Sequence, residues 1–249
     1  MTDRSALLRE IAERVAAALP AHVTDIVLTG STSRGVADER SDVELLVVSD
    51  HAAGDLPLAD LDTWSPGVQG AQWFGGFFEG EFVELIWWTP AYVEERVRAL
   101  AVGEIVDRAR IKTAEAIVNG IALRGNGHAR WAAQLATYPD GLAEKIIEDA
   151  AAELRETDAQ VRSVQRPGDA LALAGKTIDY AEAVLRIVFA LNREWEPGWK
   201  RLAMRLEPLE RKPERLAERI DEAVRALDLQ ALRALAAEAL ALTGRSETP

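Results

Sequence analysis

The feature that most constrains the fold is a change of character near residue 128. Before it, short β-branched and aromatic runs alternate with polar, glycine-bearing stretches. After it, strand signals vanish and alanine, leucine, glutamate and arginine dominate. A chain that segregates strands from helices in this way folds as α+β, with a mixed β-sheet in one part and an all-α helical bundle in the other. The expected division is 1–127 for the sheet-bearing domain and 128–249 for the helical one. A chain of 249 residues suffices for two modest domains.

Within the first part, Leu7, Ile11, Val15 and Leu19 fall on one stripe, so 4–19 is predicted as an amphipathic helix ended by Pro20. Residues 24–29 and 42–48 read as strands, and the polar stretch 30–41 between them as a loop that opens a short helix. Residues 51–68 read as loop, with Gly54, Pro57, Pro66 and Gly67 as breakers. Residues 71–88 form two strands around a turn at Glu79 and Gly80, followed by a short helix at 92–101. Residues 116–123 are a further strand, ended by Gly125, Asn126 and Gly127. In the second part, helices are expected at 128–137, 140–163, 169–192, 197–207, 213–226 and 228–243. Asp140, Asp169 and Asp228 serve as N-caps and Gly244 as a stop. The sequence has no internal repeat.

Composition removes several function classes. The chain has no cysteine, which excludes disulfides, thiolate metal sites and a cysteine nucleophile, and is compatible with the expected cytoplasmic location. The N-terminal stretch lacks the unbroken apolar run of a signal peptide, and no segment approaches the roughly 18 apolar residues of a membrane span. A net charge of −12 disfavours bulk binding to nucleic acid and favours cationic partners. His22, His51 and His128 are scattered, without zinc-site spacing.

Three carboxylates stand out because they sit inside apolar strands. Asp42 and Glu44 are one residue apart, so on a strand both point to one face while Val43 and Leu45 enter a core. Glu84 is flanked by aliphatic residues in the same way. Acids so placed need a cation or solvent to compensate them. Magnesium is the natural candidate, since it binds through a few carboxylates and substrate phosphates. The alternative is a solvated sheet face. The loop ahead of Asp42 favours phosphate: Gly30 lets backbone N–H groups approach closely, Ser31 and Ser33 carry hydroxyls, and Arg34 can pair with phosphate oxygens. It is not a P-loop, since Val36 stands where that motif has lysine.

The string from Gly30 to Val48 resembles the signature of the nucleotidyltransferase superfamily that includes DNA polymerase beta. That signature is a strand, Gly-Ser, about a dozen residues, then acid-x-acid in a second strand; here it is matched by Gly30, Ser31, Asp42 and Glu44. Glu84 matches the superfamily's third metal-binding acid on a later strand. Within the superfamily the chain looks most like the antibiotic nucleotidyltransferases that modify kanamycin and other aminoglycosides. The resemblance is specific over residues 24–88 and architectural beyond them.

The resemblance implies a Mg2+-dependent enzyme with ATP or another nucleoside triphosphate as co-substrate. Asp42, Glu44 and Glu84 would hold the metal, and Gly30, Ser31, Ser33 and Arg34 would hold the phosphates. Glu148 would act as general base, with Glu144 competing for that role. Lys176 and Lys200 are candidates for reaching the triphosphate, although each also fits a plain surface position. Trp73, Trp87 and Trp88 are candidates for stacking on a base or sugar, with core packing the simpler reading. The acceptor would be a hydroxyl on a small molecule, with a cationic aminoglycoside suited to so acidic a protein, and the resemblance implies a homodimer. Two other readings stay open: nucleotidylation of a macromolecule such as tRNA or a protein, and nucleotide binding without catalysis.

Overall fold

A computed structural model describes residues 1–64, 70–104, 107–164 and 168–244. The chain divides into two compact units: Met1–Val102 with Thr113–Thr137, and Gly103–Lys112 with Tyr138–Pro249. The elements in chain order are α1 (Asp3–Ala18), β1 (Asp25–Leu28), α2 (Gly30–Ser33), β2 (Val43–Val48), β3 (Ala59–Trp64), β4 (Ala71–Phe78), β5 (Glu81–Trp88), α3 (Pro90–Ala101), α4 (Arg108–Val118), β6 (Ile121–Arg124) and α5 (Gly127–Leu135). The helices α6 (Leu142–Val164), α7 (Ala170–Leu191), α8 (Leu202–Leu206), α9 (Leu216–Ala226) and α10 (Leu229–Ala241) follow. The expected α+β class, with a mixed sheet and then a helical region, is borne out.

The sheet has the order β3-β4-β5-β2-β1-β6, and only β2 and β5 run parallel. Its core follows from strand alternation. Val43, Leu45 and Val47 of β2 and Val83, Leu85 and Trp87 of β5 share one face, which α1 covers with Leu8, Ile11, Ala12 and Val15. From Leu45 onward β2 is buried on both faces, and Glu44 is the one half-exposed position in it. The first acid-bearing rung therefore marks where the cover over the second face ends.

Two polar locks close this unit. Arg124, at the end of β6, donates to the carbonyl oxygens of Pro20 (2.9 Å), Leu19 (3.3 Å) and Ala16. Its guanidinium thus satisfies carbonyls that the last turn of α1 leaves open, at the negative end of the helix dipole. Asp25 accepts the Gly127 N–H at 2.6 Å, and a side chain at Gly125 (φ 78°) would collide with the same carboxylate. Both features tie the end of β6 to the start of the sheet.

Several expectations are corrected. The buried apolar residue of the first helical turns is Leu8, not Leu7, which is 44% exposed. The expected loop at 51–68 contains β3, a polar edge strand of sequence ADLDTW that lacks the apolar alternation by which strands are recognised. Of the expected strand at 116–123, Ala116–Val118 complete α4, and the strand begins at Ile121 after Asn119 and Gly120 stop the helix. An apolar run of that length suits either element, and Gly120 decides the case: a side chain there would meet Val27 of β1 at 2.6 Å. The turn at Glu79 and Gly80 is confirmed, with φ of 51° and 85°, the positive pair that tight hairpins require.

In the second unit α6 and α7 pack along their lengths. The buried Arg186 of α7 pairs with Glu153 at 2.8 Å and with Asp149. Of the expected caps, Asp228 accepts the N–H groups of Gln230 and Ala231 at 3.0 Å. Asp169 occupies the N-cap of α7 without a side-chain bond, and α6 starts only at Leu142, beyond Asp140. The helix expected at 197–207 is confined to Leu202–Leu206. Gly244, at φ 73°, follows the end of α10 as expected. Among the described residues no helix is long and apolar enough to cross a membrane.

Replacing Arg124 by alanine leaves the carbonyls of Ala16, Leu19 and Pro20 without their charged donor. The expected loss is about 1–3 kcal/mol of unfolding free energy for the first unit, measured by chemical denaturation followed through the tryptophans. An unchanged transition would show that water replaces the guanidinium without cost.

Candidate functional site

The site is built where β1 ends. Thr29 donates its N–H to the Glu44 carbonyl at 2.9 Å, extending the β1–β2 ladder by one rung. Its hydroxyl then reaches the Glu44 carboxylate, Oγ1 to Oε1 at 2.8 Å. Gly30 follows at φ +70°, a left-handed conformation that favours glycine, and a Cβ there would lie 3.3 Å from Glu44 Oε2. Glycine at residue 30 thus lets the chain turn into α2 immediately beside the carboxylate without backbone strain or displacement of Glu44. The turn is closed by Ser33 Oγ donating to the Gly30 carbonyl at 3.1 Å. Ser31 is half-exposed, and its hydroxyl makes no hydrogen bond among the described residues.

The parallel pairing of β2 with β5 sets Glu44 directly opposite Glu84, and on its other side Glu84 pairs with Gly75 of β4. Register neighbours project to the same face, so the two carboxylates are adjacent there. Asp42 precedes β2, half-buried, with its carbonyl accepting from the buried Thr32 hydroxyl at 3.2 Å. Among the described residues no group of three or more histidine and acidic side chains is assembled to hold a metal ion. The donor set nevertheless fits magnesium in one respect. That ion takes hard oxygen ligands and is usually held by one or two carboxylates, with waters and substrate phosphates filling the rest.

Arg34 does not project alone. Its Nη1 donates to Glu115 Oε1 and Oε2 at 3.2 and 3.4 Å, and Asn119 Nδ2 donates to Glu115 Oε1 at 3.3 Å. Glu115 is 8% exposed, so the pair ties α2 to α4 in a largely buried setting.

The rest of the loop is fastened by the start of α1. Thr2 N–H donates to Gly35 O at 3.1 Å, Thr2 Oγ1 donates to Ala37 O at 2.8 Å, and the fully buried Ser5 hydroxyl accepts the Ala37 N–H at 2.8 Å. Arg4 donates to the Ser41 carbonyl at 3.2 Å and grips Glu81 with two bonds of 2.6 and 2.5 Å, which holds the Glu81 carboxyl below its usual range. Thr29, Thr32, Glu115, Arg4 and Ser5 were not singled out from sequence. The only signal for any of them was the N-cap spacing of Thr2 and Ser5, where the Thr2 hydroxyl accepts the Ser5 N–H.

The remaining candidates take other places. Trp87 is 3% exposed in the core under α1, and Trp88 is buried against Tyr92, with the Arg96 guanidinium 5.4 Å from its ring centre. Trp73 pairs with Ile86 in the ladder. His22 and His51, distant in sequence, lie ring to ring, whereas His128 Nε2 lies 2.8 Å from the Ile117 carbonyl. Glu144 and Glu148 lie on the exposed side of α6 in the second unit. Lys176 pairs with Asp179 at 2.9 Å, and Lys200 is exposed in the turn before α8. Burial, with Glu196 and Glu144 nearby, pushes the Tyr138 phenol well above its usual value.

Comparison with known proteins accords with this geometry. Residues 8–112 match the family model described as a nucleotidyltransferase domain, a span that includes Gly30, Ser31, Asp42, Glu44 and Glu84. Residues 110–202 match a second model, a domain of unknown function (DUF4037). No curated protein matches the chain. Among solved structures the chain is similar to a nucleotidyltransferase-like protein from Exiguobacterium sibiricum 255-15, with 15% identity, 98% of this chain and 81% of that chain covered, and a TM-score of 0.39.

Two like charges on one rung repel, so Glu44→Gln, which retains an oxygen for the Thr29 hydroxyl, should stabilise the metal-free protein by about 0.5–1 kcal/mol. Gly30→Ala should destabilise it by about 1–3 kcal/mol from backbone strain and the Glu44 contact together. The open position Gly54→Ala, at φ +60° with no neighbour, reports the strain alone. Thermal denaturation in the presence of a chelator measures all three. Equal losses at Gly30 and Gly54 would mean that the close approach to Glu44 has no energetic role.

Proposed function

We propose that the chain is a nucleotidyltransferase that moves a nucleoside monophosphate, AMP from ATP, onto a hydroxyl of a small molecule. The observation that carries this reading is the Glu44–Glu84 rung set beside the Gly30–Ser31 turn, within the span similar to nucleotidyltransferase domains. In this reading the turn of α2 receives the triphosphate, with the Ser31 hydroxyl and nearby backbone N–H groups donating to phosphate oxygens. Arg34, also a phosphate ligand in this reading, shares its guanidinium with Glu115, which offsets part of its charge. Asp42, Glu44 and Glu84 would hold Mg2+, which when bound neutralises charge developing on the phosphates and orients them for displacement.

The acceptor hydroxyl then attacks the α-phosphorus in line, its proton passes to a carboxylate, and pyrophosphate leaves. We assign that base to Glu148 on the strength of the resemblance to aminoglycoside-modifying enzymes, with Glu144 one helical turn earlier as the competitor. A cationic acceptor of the aminoglycoside type suits a protein of net charge −12. Lys176 and Lys200 have a smaller part in this reading, since Lys176 already has an acidic partner.

Asp42→Ala is expected to abolish magnesium-dependent pyrophosphate release while the far-ultraviolet circular dichroism and melting profile stay native. Glu148→Gln should lower turnover by about 100-fold or more with nucleotide affinity unchanged. Full turnover in the Asp42 variant would remove that acid from the metal site. Unchanged turnover in the Glu148 variant would move the base to Glu144. An aminoglycoside panel identifies the acceptor class: pyrophosphate release that depends on none of them, yet appears with tRNA or protein, would replace the small-molecule reading.

A further inference from the structure

At the far end of the β1–β2 pair from Gly30 and Glu44, the turn before β1 and the segment after β2 bring His22 and His51 together, with ring centres 4.9 Å apart and planes inclined by 57°. One residue organises both. Ser49 is completely buried; its Oγ lies 2.9 Å from His22 Nδ1, accepts the His51 N–H at 3.0 Å, and lies 3.4 Å from the His22 carbonyl. A serine hydroxyl has one proton and two acceptor sites. With the proton directed to the His22 carbonyl and one acceptor site filled by the His51 N–H, the remaining acceptor site takes a proton from His22 Nδ1. That arrangement makes Nδ1 the protonated nitrogen and leaves the lone pair on Nε2. The carbonyl of His51 is fixed in turn by Trp87 Nε1, which donates to it at 3.0 Å.

We propose that His22 and His51 form a chelating site for a borderline divalent transition ion of the Cu2+, Ni2+ or Zn2+ class. Two imidazoles bound to one ion at 2.0–2.1 Å, with a nitrogen–metal–nitrogen angle of roughly 90–110°, place their ring centres about 4.5–5.2 Å apart. The observed separation falls inside that interval. A ligating histidine ordinarily donates its second ring nitrogen to an oxygen, which sets tautomer and orientation, and Ser49 does this for His22. His22 is half-exposed and His51 exposed, so an ion can reach the pair from solvent and water can complete its shell. Imidazole nitrogen suits copper, nickel and zinc rather than magnesium, and the order of affinity should be Cu2+ above Ni2+ and Zn2+. This site is independent of the nucleotide reading, since it uses none of Asp42, Glu44 or Glu84.

A bound ion would staple the turn before β1 to the segment after β2, and so stabilise the β1–β2 pair from its outer end. The test uses the untagged full chain, Cu2+ as probe, and two readouts: calorimetric titration, and electron paramagnetic resonance of the bound ion. One nitrogen-ligated ion per chain is expected, with two nitrogen donors in its spectrum and a raised melting temperature. His22→Ala and His51→Ala should each weaken the nitrogen-ligated binding at least tenfold, whereas His128→Ala should leave it unchanged. Ser49→Ala should weaken it less than either histidine variant. Trp87 lies 6.2 Å from the His22 ring, so part of the tryptophan emission should be quenched by Cu2+ in the wild type and not in the histidine variants. Absence of a nitrogen-ligated ion in the folded wild type, or two-nitrogen ligation that persists in both histidine variants, would overturn the proposal.

Discussion

Two carboxylates held opposite each other in the middle of a sheet are the interaction on which the rest of the first unit depends. Glu44 and Glu84 occupy one rung of the parallel β2–β5 pair, and like charges so placed oppose folding. The sheet tolerates them because every neighbouring rung is apolar. Val43, Leu45, Val47, Val83, Leu85 and Trp87 bury against α1, and a slip of one residue would drive both acids into that core. Register is therefore fixed by the hydrophobic face, and the polar face inherits its geometry. The cost is partly offset by the Thr29 hydroxyl on Glu44 and by half-exposure of the rung. In the proposed function the same rung is where a cation would be held.

The loop between β1 and β2 answers to the same constraint. It must leave β1 beside Glu44 without touching it, which Gly30 permits, and must then return so that Asp42 precedes β2. The fourteen residues between β1 and β2 would lose much conformational entropy on ordering. Here the loss is opposed by bonds from three directions: Thr2, Arg4 and Ser5 of α1 or its cap, Thr32 from within, and Glu115 of α4. A loop held this way is preorganised, so in the proposed function a nucleotide would not have to order it.

Much of this was legible in the sequence, for identifiable reasons. β-Branched, aliphatic and aromatic runs in residues 42–48 and 71–88 marked the strands, and the acids interrupting them marked the candidate site. What escaped notice was either weakly patterned or long-range. β3 is a polar edge strand with a positive-φ residue, Asp60, and carries no amphipathic signal. Residues 116–118 are apolar in a way that suits helix and strand alike, and only the contact of Gly120 with Val27 selects the helix end. Arg34 was expected to face phosphate, but a partner 81 residues away on α4 cannot be read from spacing. The meeting of His22 with His51 likewise needed the antiparallel pairing of β1 with β2. The helical half was legible as helices, while its contribution to chemistry rests on single exposed side chains such as Glu148, for which sequence and fold give little physical constraint.

The central claim is that the Glu44–Glu84 rung awaits a metal–nucleotide complex. Its most direct test is calorimetric titration of the full chain with ATP, with and without magnesium, for the wild type and Glu44→Gln. The account predicts triphosphate binding by the wild type that requires magnesium, and at least a tenfold loss of that affinity in the variant. Binding of equal strength with and without magnesium, or binding that Glu44→Gln leaves intact, would contradict it and return the rung to a purely structural role.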